Sequence, residues 1–197
     1  MLRSGEAIDK ILHILPADVV IIGGNLNHPA LEGYTTVDLL RDPLYLAENA
    51  LITAHCAIKL ALNRLPTTLY NQSVLVVGWG RIGKCIASLL RCMGARVSVA
   101  VRSESDRAIL NALGFDAIDT AVQGYELVRF RVLFNTAPEM VFNKEALQYC
   151  REDCLKIDLA SRPGLEGNNI LWARGLPGKD APEASGELIA KTVLRLR

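Results

Sequence analysis

The chain predicts an α/β fold, a doubly wound parallel sheet preceded by a short N-terminal helical and partial α/β segment. Three observations carry this expectation. From Thr67 onward, short apolar runs alternate with amphipathic stretches, the order that gives a parallel sheet covered on both faces. The run Val74–Val77 stops at Gly78, and Gly80 and Gly83 follow as an amphipathic stretch, Arg81–Met93, begins. A second apolar run, Arg96–Val101, then arrives at the distance of a βαβ unit.

On this pattern, strands are expected near 73–77, 96–101, 117–118, 131–135, 155–159 and 170–173, and helices near 81–93, 104–113, 122–128, 143–149 and 182–195. Six strands in this order fit the Rossmann arrangement. The expected division is 1–65, a partial N-terminal segment ending in an interdomain helix, and 66–197, a nucleotide-binding domain. In the first part, Ile8, Ile11, Leu12 and Leu15 have helical spacing, which predicts a helix over Gly5–Leu15 ended by Pro16. Asp18–Ile22 reads as a buried strand closed by Gly23 and Gly24, and turn formers fill Asn25–Gly33. Thr36–Ala47 is expected to be helical, with Asp42-Pro43 breaking or restarting it. Ala47–Leu65 is a strong helix, with Leu51, Ile58 and Leu62 on one stripe, Ala54 and Ala61 beside it, and Pro66 as the stop. Only one clear strand is expected in this third of the chain.

Half of the 197 residues are hydrophobic and the net charge is +1, so a core can form and nothing draws the chain to nucleic acid or an acidic membrane surface. No apolar run approaches the ~18–20 residues of a bilayer span, and the first ten residues lack the apolar core of a signal peptide. The five cysteines contain no Cys-x-x-Cys pair and the three histidines are far apart, so neither a disulfide framework nor a metal site is expected. Cys85 and Cys92 read as small core residues, and Cys150 and Cys154 flank a turn. A reduced, cytoplasmic protein is the expectation.

The glycines have separate steric tasks. Gly78 lets the strand turn, Gly80 lets a pyrophosphate approach the backbone, and Gly83 lets the helix pack on the strand. Free N–H groups and the partial positive charge at the helix start then hold the phosphates. Trp79, Arg81 and Ile82 lie in the same turn, and Trp79 is expected to pack near the phosphates. After the second strand stand Arg102, Ser103 and Arg107. Where an aspartate would repel a 2′-phosphate, these groups can hold one, so NADP is expected; in the alternative, NAD, Glu104 or Asp106 bonds the ribose. Thr136, Ala137 and Pro138 follow the fourth strand, and Asp158, Leu159 and Ala160 the fifth, so these positions are expected to border the cofactor. A buried Asp158 needs partners, and its expected role is to hold the crevice loops together.

Several stretches together resemble one family, that of the dipicolinate synthase A subunits: Val74–Gly83, Phe134–Pro138, Asp158–Gly164 and, most specifically, Gly175–Gly186 with its Leu-Pro-Gly-Lys-x-Ala-Pro core. The match runs from about Asn49 to the C-terminus and is looser upstream, where the chain is shorter than the family. The resemblance implies an NADP-linked oxidation of a hydroxylated tetrahydrodipicolinate to the aromatic pyridine diacid in sporulating bacteria. It further implies kinship with 2-hydroxy-acid dehydrogenases and a partner, the flavoprotein-like B subunit. One segment departs from the family pattern. In Asn49–Ile58, His55 and Cys56 stand where the family has glutamate and glycine, and Ile52 where it has proline.

Hydride transfer to or from a dicarboxylic acid needs a proton-moving group and cations for the carboxylates. Lys179, in a Pro-Gly-Lys loop beyond the sixth strand, is the candidate cation for a carboxylate or developing oxyanion; a solvated lysine is the alternative. His55 is the candidate proton shuttle. Thr53, Ser161 and Arg162 are candidate substrate contacts, although Thr53 can simply cap its helix and Arg162 can be a surface residue. An NADP-dependent oxidoreductase of the dipicolinate synthase type is therefore expected. The competing expectations are a catalytically silent NAD(P)-binding protein with a regulatory or assembly role, and an oxidoreductase for another small acid, with His55 marking the change. Exposed apolar residues on the Ala47–Leu65 stripe predict a homo-oligomer.

Overall fold

The computed structural model describes residues 11–16, 18–121 and 124–196. The helix expected over Gly5–Leu15 thus falls largely outside the described residues, as do two positions of the helix expected at 122–128. Internal contacts group the chain into two compact units, Asn49–Gly186 and a smaller one formed by the residues up to Glu48 with those from Glu187 onward.

The larger unit is a six-stranded parallel sheet. Its strands are β3 (Ser73–Val77), β4 (Arg96–Ala100), β5 (Asp116–Ile118), β6 (Val132–Asn135), β7 (Leu155–Asp158) and β8 (Ile170–Trp172). They lie in the order β5-β4-β3-β6-β7-β8, all parallel. This is the doubly wound Rossmann order. The sequence reverses direction between β3 and β6, and in such sheets the ligand crevice opens at the carboxyl ends of those strands.

The strand period explains the two layers. Val74 and Val76 enter one core cluster with Ile86, Leu90, Val99 and Phe134, while Leu75 and Val77 enter the other with Leu127, Phe130, Leu133 and Phe142. All four β3 side chains from Val74 to Val77 are completely buried. Only a strand covered on both faces can be this continuously apolar. The helix after it, α2 (Arg81–Cys92), buries Ile86, Ala87 and Leu90 on the first face. The next, α3 (Glu104–Ala112), starts at an N-cap, Ser103, whose hydroxyl accepts a bond from the Asp106 N–H at 3.2 Å.

Four local expectations need correction. Residues 124–129 form a 3-10 helix in place of an α-helix, and the expected 143–149 helix shrinks to one turn, Lys144–Leu147. Lys179 is in a short helix, Leu176–Asp180, and not a loop, because Pro177 is tolerated in a first turn. Cys92 is exposed on α2 and does not enter the core; Cys85 is half-buried.

In the smaller unit, β1 (Val20–Gly23) pairs in parallel with β2 (Thr35–Asp38), from Val20 opposite Thr35 to Gly23 opposite Asp38. The helix expected over Thr36–Ala47 is overturned in its first half. Thr35, Thr36 and Val37 are β-branched and favour the extended chain. Asp38 then accepts bonds from the Leu26 and Leu40 N–H groups and closes the strand into a 3-10 turn. The long helix α1 (Pro43–Leu62) begins with proline in its first turn, and Asp42 caps it by accepting the Tyr45 N–H at 2.6 Å. Arg195 donates to the same carboxylate oxygen at 2.6 Å and holds the Asp42 carboxyl below the usual aspartate range. Along α1, Ala54, Ala57, Ile58 and Ala61 are buried, whereas the expected stripe members Leu51 and Leu62 are exposed.

Candidate nucleotide-binding site

Gly78 adopts a positive φ of 96°, which a residue with a side chain rarely tolerates, and a Cβ there would lie 2.7 Å from the Thr136 hydroxyl. A Cβ on Gly83 would overlap the Gly78 carbonyl oxygen, so α2 can lie this close to the turn only with glycine. Gly80 is different. It caps α2 without any side-chain hydrogen bond, has a φ of −76°, and a Cβ on it would meet nothing within 4 Å. The first-turn N–H groups of α2 have no intrahelical partner, and no side chain of the cap residue takes one. That is the provision an anionic pyrophosphate needs.

Beside this turn lies a cleft of about 360 Å³ at the carboxyl ends of β3, β4 and β6. Of the candidate cofactor residues, Gly78, Trp79, Arg102, Ser103 and Ala137 line it; Asp106, Thr120 and Glu139 line it as well. Its size lies in the range of small-molecule sites. The Trp79 ring packs edge-on against Phe115, 5.5 Å between centroids, so the indole forms a wall between cleft and core.

The rim carries an ion pair. Arg102, beyond β4, meets Glu139, beyond β6, in a fork of two contacts, Nη1 to Oε2 at 2.9 Å and Nη2 to Oε1 at 2.8 Å. Both side chains are solvent-exposed, so their mutual attraction is modest and open to competition. Nothing in the local sequence marks Glu139 for this place. Only the topology brings a residue 37 positions away onto Arg102.

Arg107 is not free for a phosphate. Its Nη1 donates to the Val101 carbonyl at 2.9 Å and the Arg102 carbonyl at 2.8 Å, and pairs with Asp119 at 2.6 Å. It braces the tip of β4 from behind. Thr136 likewise spends its hydroxyl on the Val77 carbonyl at 2.8 Å and pins the glycine turn to β6.

Asp158 is 1% exposed and accepts four hydrogen bonds. Oδ1 takes the Asn135 side-chain amide at 2.9 Å and the Ala160 N–H at 3.0 Å; Oδ2 takes the N–H groups of Gly164 at 2.7 Å and Leu165 at 3.2 Å. Asn135 in turn bonds both the N–H and the carbonyl of Ala137. The carboxylate thus ties the loops after β6 and β7 into one piece, with no lone pair facing the cleft. Leu159 and Ala160 are buried beside it, and the Ala160 carbonyl accepts the Trp172 indole N–H at 3.0 Å.

The remaining candidates are not brought to this cleft. Thr53 is buried and donates to the Asn49 carbonyl at 2.7 Å within its own helix. His55 is exposed on α1; Pro138, Ser161, Arg162 and Lys179 are exposed. Arg81 opens α2 toward solvent, and Ile82 packs partly onto the core. Among the described residues no group of three or more metal-ligating side chains occurs, and no helix is long and apolar enough to cross a membrane.

Residues 60–165 match the family model for the D-isomer specific 2-hydroxyacid dehydrogenase, NAD binding domain. The chain belongs to this family. The matched stretch of the NAD-binding domain contains β3 to β7, the glycine turn and the whole cleft, and this family match supports a nicotinamide dinucleotide as the cofactor. The dipicolinate synthase A subunit of Bacillus subtilis (strain 168) is 31% identical over 156 residues, covering 75% of this chain and 52% of that protein. The chain thus spans about half the length of that curated relative. The crystal structure of the dipicolinate synthase A subunit from Bacillus halodurans superposes with a TM-score of 0.82 at 26% identity, covering 100% of this chain and 71% of the other. Its counterpart from Bacillus subtilis gives 0.79 at 27% identity, covering 100% and 69%. The resemblance read in the sequence is thereby found in both sequence and structure.

Proposed function

We propose that the chain binds NADP(H) in this cleft and serves an oxidation of the dipicolinate synthase type, taking a hydroxylated tetrahydrodipicolinate to dipicolinate together with a flavoprotein-like B subunit. The observation that carries the reading is the uncapped start of α2, which opens beside a cleft rimmed by Arg102 and Ser103. The bound nicotinamide supplies the hydride acceptor. The chain's own part is to seat the pyrophosphate on the α2 N–H groups, pack the Trp79 wall and hold the 2′-phosphate with Arg102. A phosphate dianion outcompetes the carboxylate of Glu139 for that guanidinium, because it brings a second negative charge and a third acceptor oxygen, whereas the exposed Glu139 pair is worth about 0–1 kcal/mol. Lys179 and Arg162 are the proposed carboxylate contacts, with His55 as the proton carrier. A cytoplasmic setting and self-association belong to the same reading; elution as a monomer in light scattering would count against the second.

The test is to titrate NADPH and NADH against tryptophan fluorescence, then to supply NADP and the dipicolinate precursor with and without a B subunit. Saturable binding and reduction of NADP support the proposal; no signal from either nucleotide ends it. Arg102→Ala is expected to weaken NADPH about ten- to a hundredfold and NADH less than about threefold. Glu139→Gln, which frees the guanidinium, is expected to tighten NADPH by about two- to fivefold. Equal losses for both nucleotides in Arg102→Ala would place the 2′-phosphate elsewhere. Gly80→Ala is expected to leave stability within about 0.5 kcal/mol, since its methyl meets no neighbour. The same methyl stands where the pyrophosphate must approach, so nucleotide affinity should fall by about tenfold or more.

A second reading, a nucleotide-binding protein without turnover, is favoured by one observation: Lys179, His55 and Arg162 are absent from the cleft lining. Tight NADPH binding with no turnover in the presence of substrate and B subunit would select it.

A further inference from the structure

Opposite the nucleotide cleft, at the amino end of β7, one turn and the start of the strand it leads into carry three reactive side chains that no step of the proposed oxidation uses. Cys150 and Cys154 stand on either side of a tight turn closed by the Cys154 N–H on the Arg151 carbonyl at 3.0 Å. Cys154 is buried and Cys150 half-buried, both against the second core cluster, and neither is in a disulfide. Lys156, two residues on, is only 7% exposed. Its ammonium donates to the Cys154 carbonyl at 3.3 Å, and among the described residues no carboxylate lies within 4 Å of it. Asp153, an acid of the same turn, is held by Arg131 and Arg151.

A buried ammonium without a counter-charge is costly, and the groups at hand that can supply one are the two thiols. The Cys154 thiol and the Lys156 charge both lower the Cys150 pKa, while the Cys150 thiol and then burial raise that of Cys154. Cys150, half-buried where Cys154 is buried, is also the thiol that a small oxidant reaches first, which makes it the nucleophile and Cys154 its partner.

We propose that Cys150, Cys154 and Lys156 form a peroxide-reactive dithiol site, with Cys150 as the attacking thiolate and Cys154 as the resolving thiol. The Cys150 sulfur attacks one peroxide oxygen, the O–O bond breaks, and Cys150 sulfenic acid forms as hydroxide leaves and is protonated to water. The Cys154 sulfur then attacks the sulfenic sulfur, the S–O bond breaks, and the oxygen departs as a second water. In sum, two thiols and one hydrogen peroxide give one disulfide and two waters, the thiols losing the two electrons that the peroxide gains. Lys156 stabilises the first thiolate and is a positioning residue. The site stands independently of the nucleotide reading.

Trypsin makes the test direct, because Arg151 separates the cysteines and frees Glu145–Arg151 and Glu152–Lys156 as distinct peptides. The full chain, treated with a few equivalents of hydrogen peroxide, is expected to yield these two joined, two hydrogens lighter than their sum, and to release them on reduction. With Cys154→Ser, Cys150 should instead be trapped by dimedone as the sulfenic acid. Iodoacetamide at neutral pH should label Cys150 at least threefold faster than the exposed Cys92, and Lys156→Met should remove that advantage. Faster labelling of Cys92 in the unsubstituted chain, or no joined peptide at a dose that oxidises Cys92, overturns the proposal.

Discussion

Asp158→Ala is expected to lower the stability of the larger unit by about 3–5 kcal/mol, out of a total that for domains of this kind is about 5–15 kcal/mol. The carboxylate accepts the Asn135 amide and the N–H groups of Ala160, Gly164 and Leu165, and it lies out of reach of bulk water. Removing it orphans four donors at once, each costing about 1–3 kcal/mol if none finds a replacement. The lower figure allows for a water entering the space left by the carboxylate. Asp158→Asn keeps the shape but turns an NH2 toward groups that are all donors, so it should also be destabilising, if less so. The consequence reaches the cleft. The Val141 N–H bonds the Gly164 carbonyl at 2.8 Å, and Val141 lines the site, so loosening Gly164 loosens that wall. Urea unfolding gives the measurement, and a loss below about 1 kcal/mol would falsify the account of Asp158 as the hub of these loops.

Gly83→Ala is the second large effect. The new methyl would overlap the Gly78 carbonyl oxygen and approach the Thr136 hydroxyl to 3.1 Å. The first obstacle is backbone and cannot swing aside, so α2 must move off β3. Overpacking of a well-filled interior costs about 1–3 kcal/mol, and a clash with main chain should fall at the upper end. Moving the helix also shifts its amino end, the proposed pyrophosphate seat, so nucleotide affinity should drop along with stability. Gly80→Ala is the control, only three residues away. A thermal scan with a nucleotide titration should show one variant losing both properties and the other losing affinity alone. Identical behaviour of the two would mean that the glycines do not divide their tasks as described.

Much of the sheet was legible because its strands are continuously apolar and end on glycine, proline or polar groups. Val74–Val77 admits no other reading once Gly78 follows it. The small strand Thr35–Asp38 was not legible. Thr36, Val37, Leu39 and Leu40 suit helical spacing about as well as extended, and what decides is pairing with Val20–Gly23, a contact between distant residues. The cleft shows the same division. The glycine turn is local and can be read in order, whereas Glu139 reaches Arg102 only after the chain has passed through β5 and β6. Nor could spacing tell which arginine faces the rim. Arg107 lies in the first turn of α3, where the carbonyls of Val101 and Arg102 capture its guanidinium, and Arg102, with no such neighbour, is left for the rim.

That capture separates the choice of cofactor from the scaffold that presents it. Because Arg107 and Asp119 fasten the strand tip, position 102 can change its charge without the passage from β4 into α3 giving way. On the proposed reading, a single exchange such as Arg102→Asp should therefore redirect the chain from the phosphorylated to the unphosphorylated dinucleotide at a cost in stability of no more than about 1 kcal/mol, the worth of the exposed pair with Glu139, a one-step route between two redox pools for a lineage or an engineer.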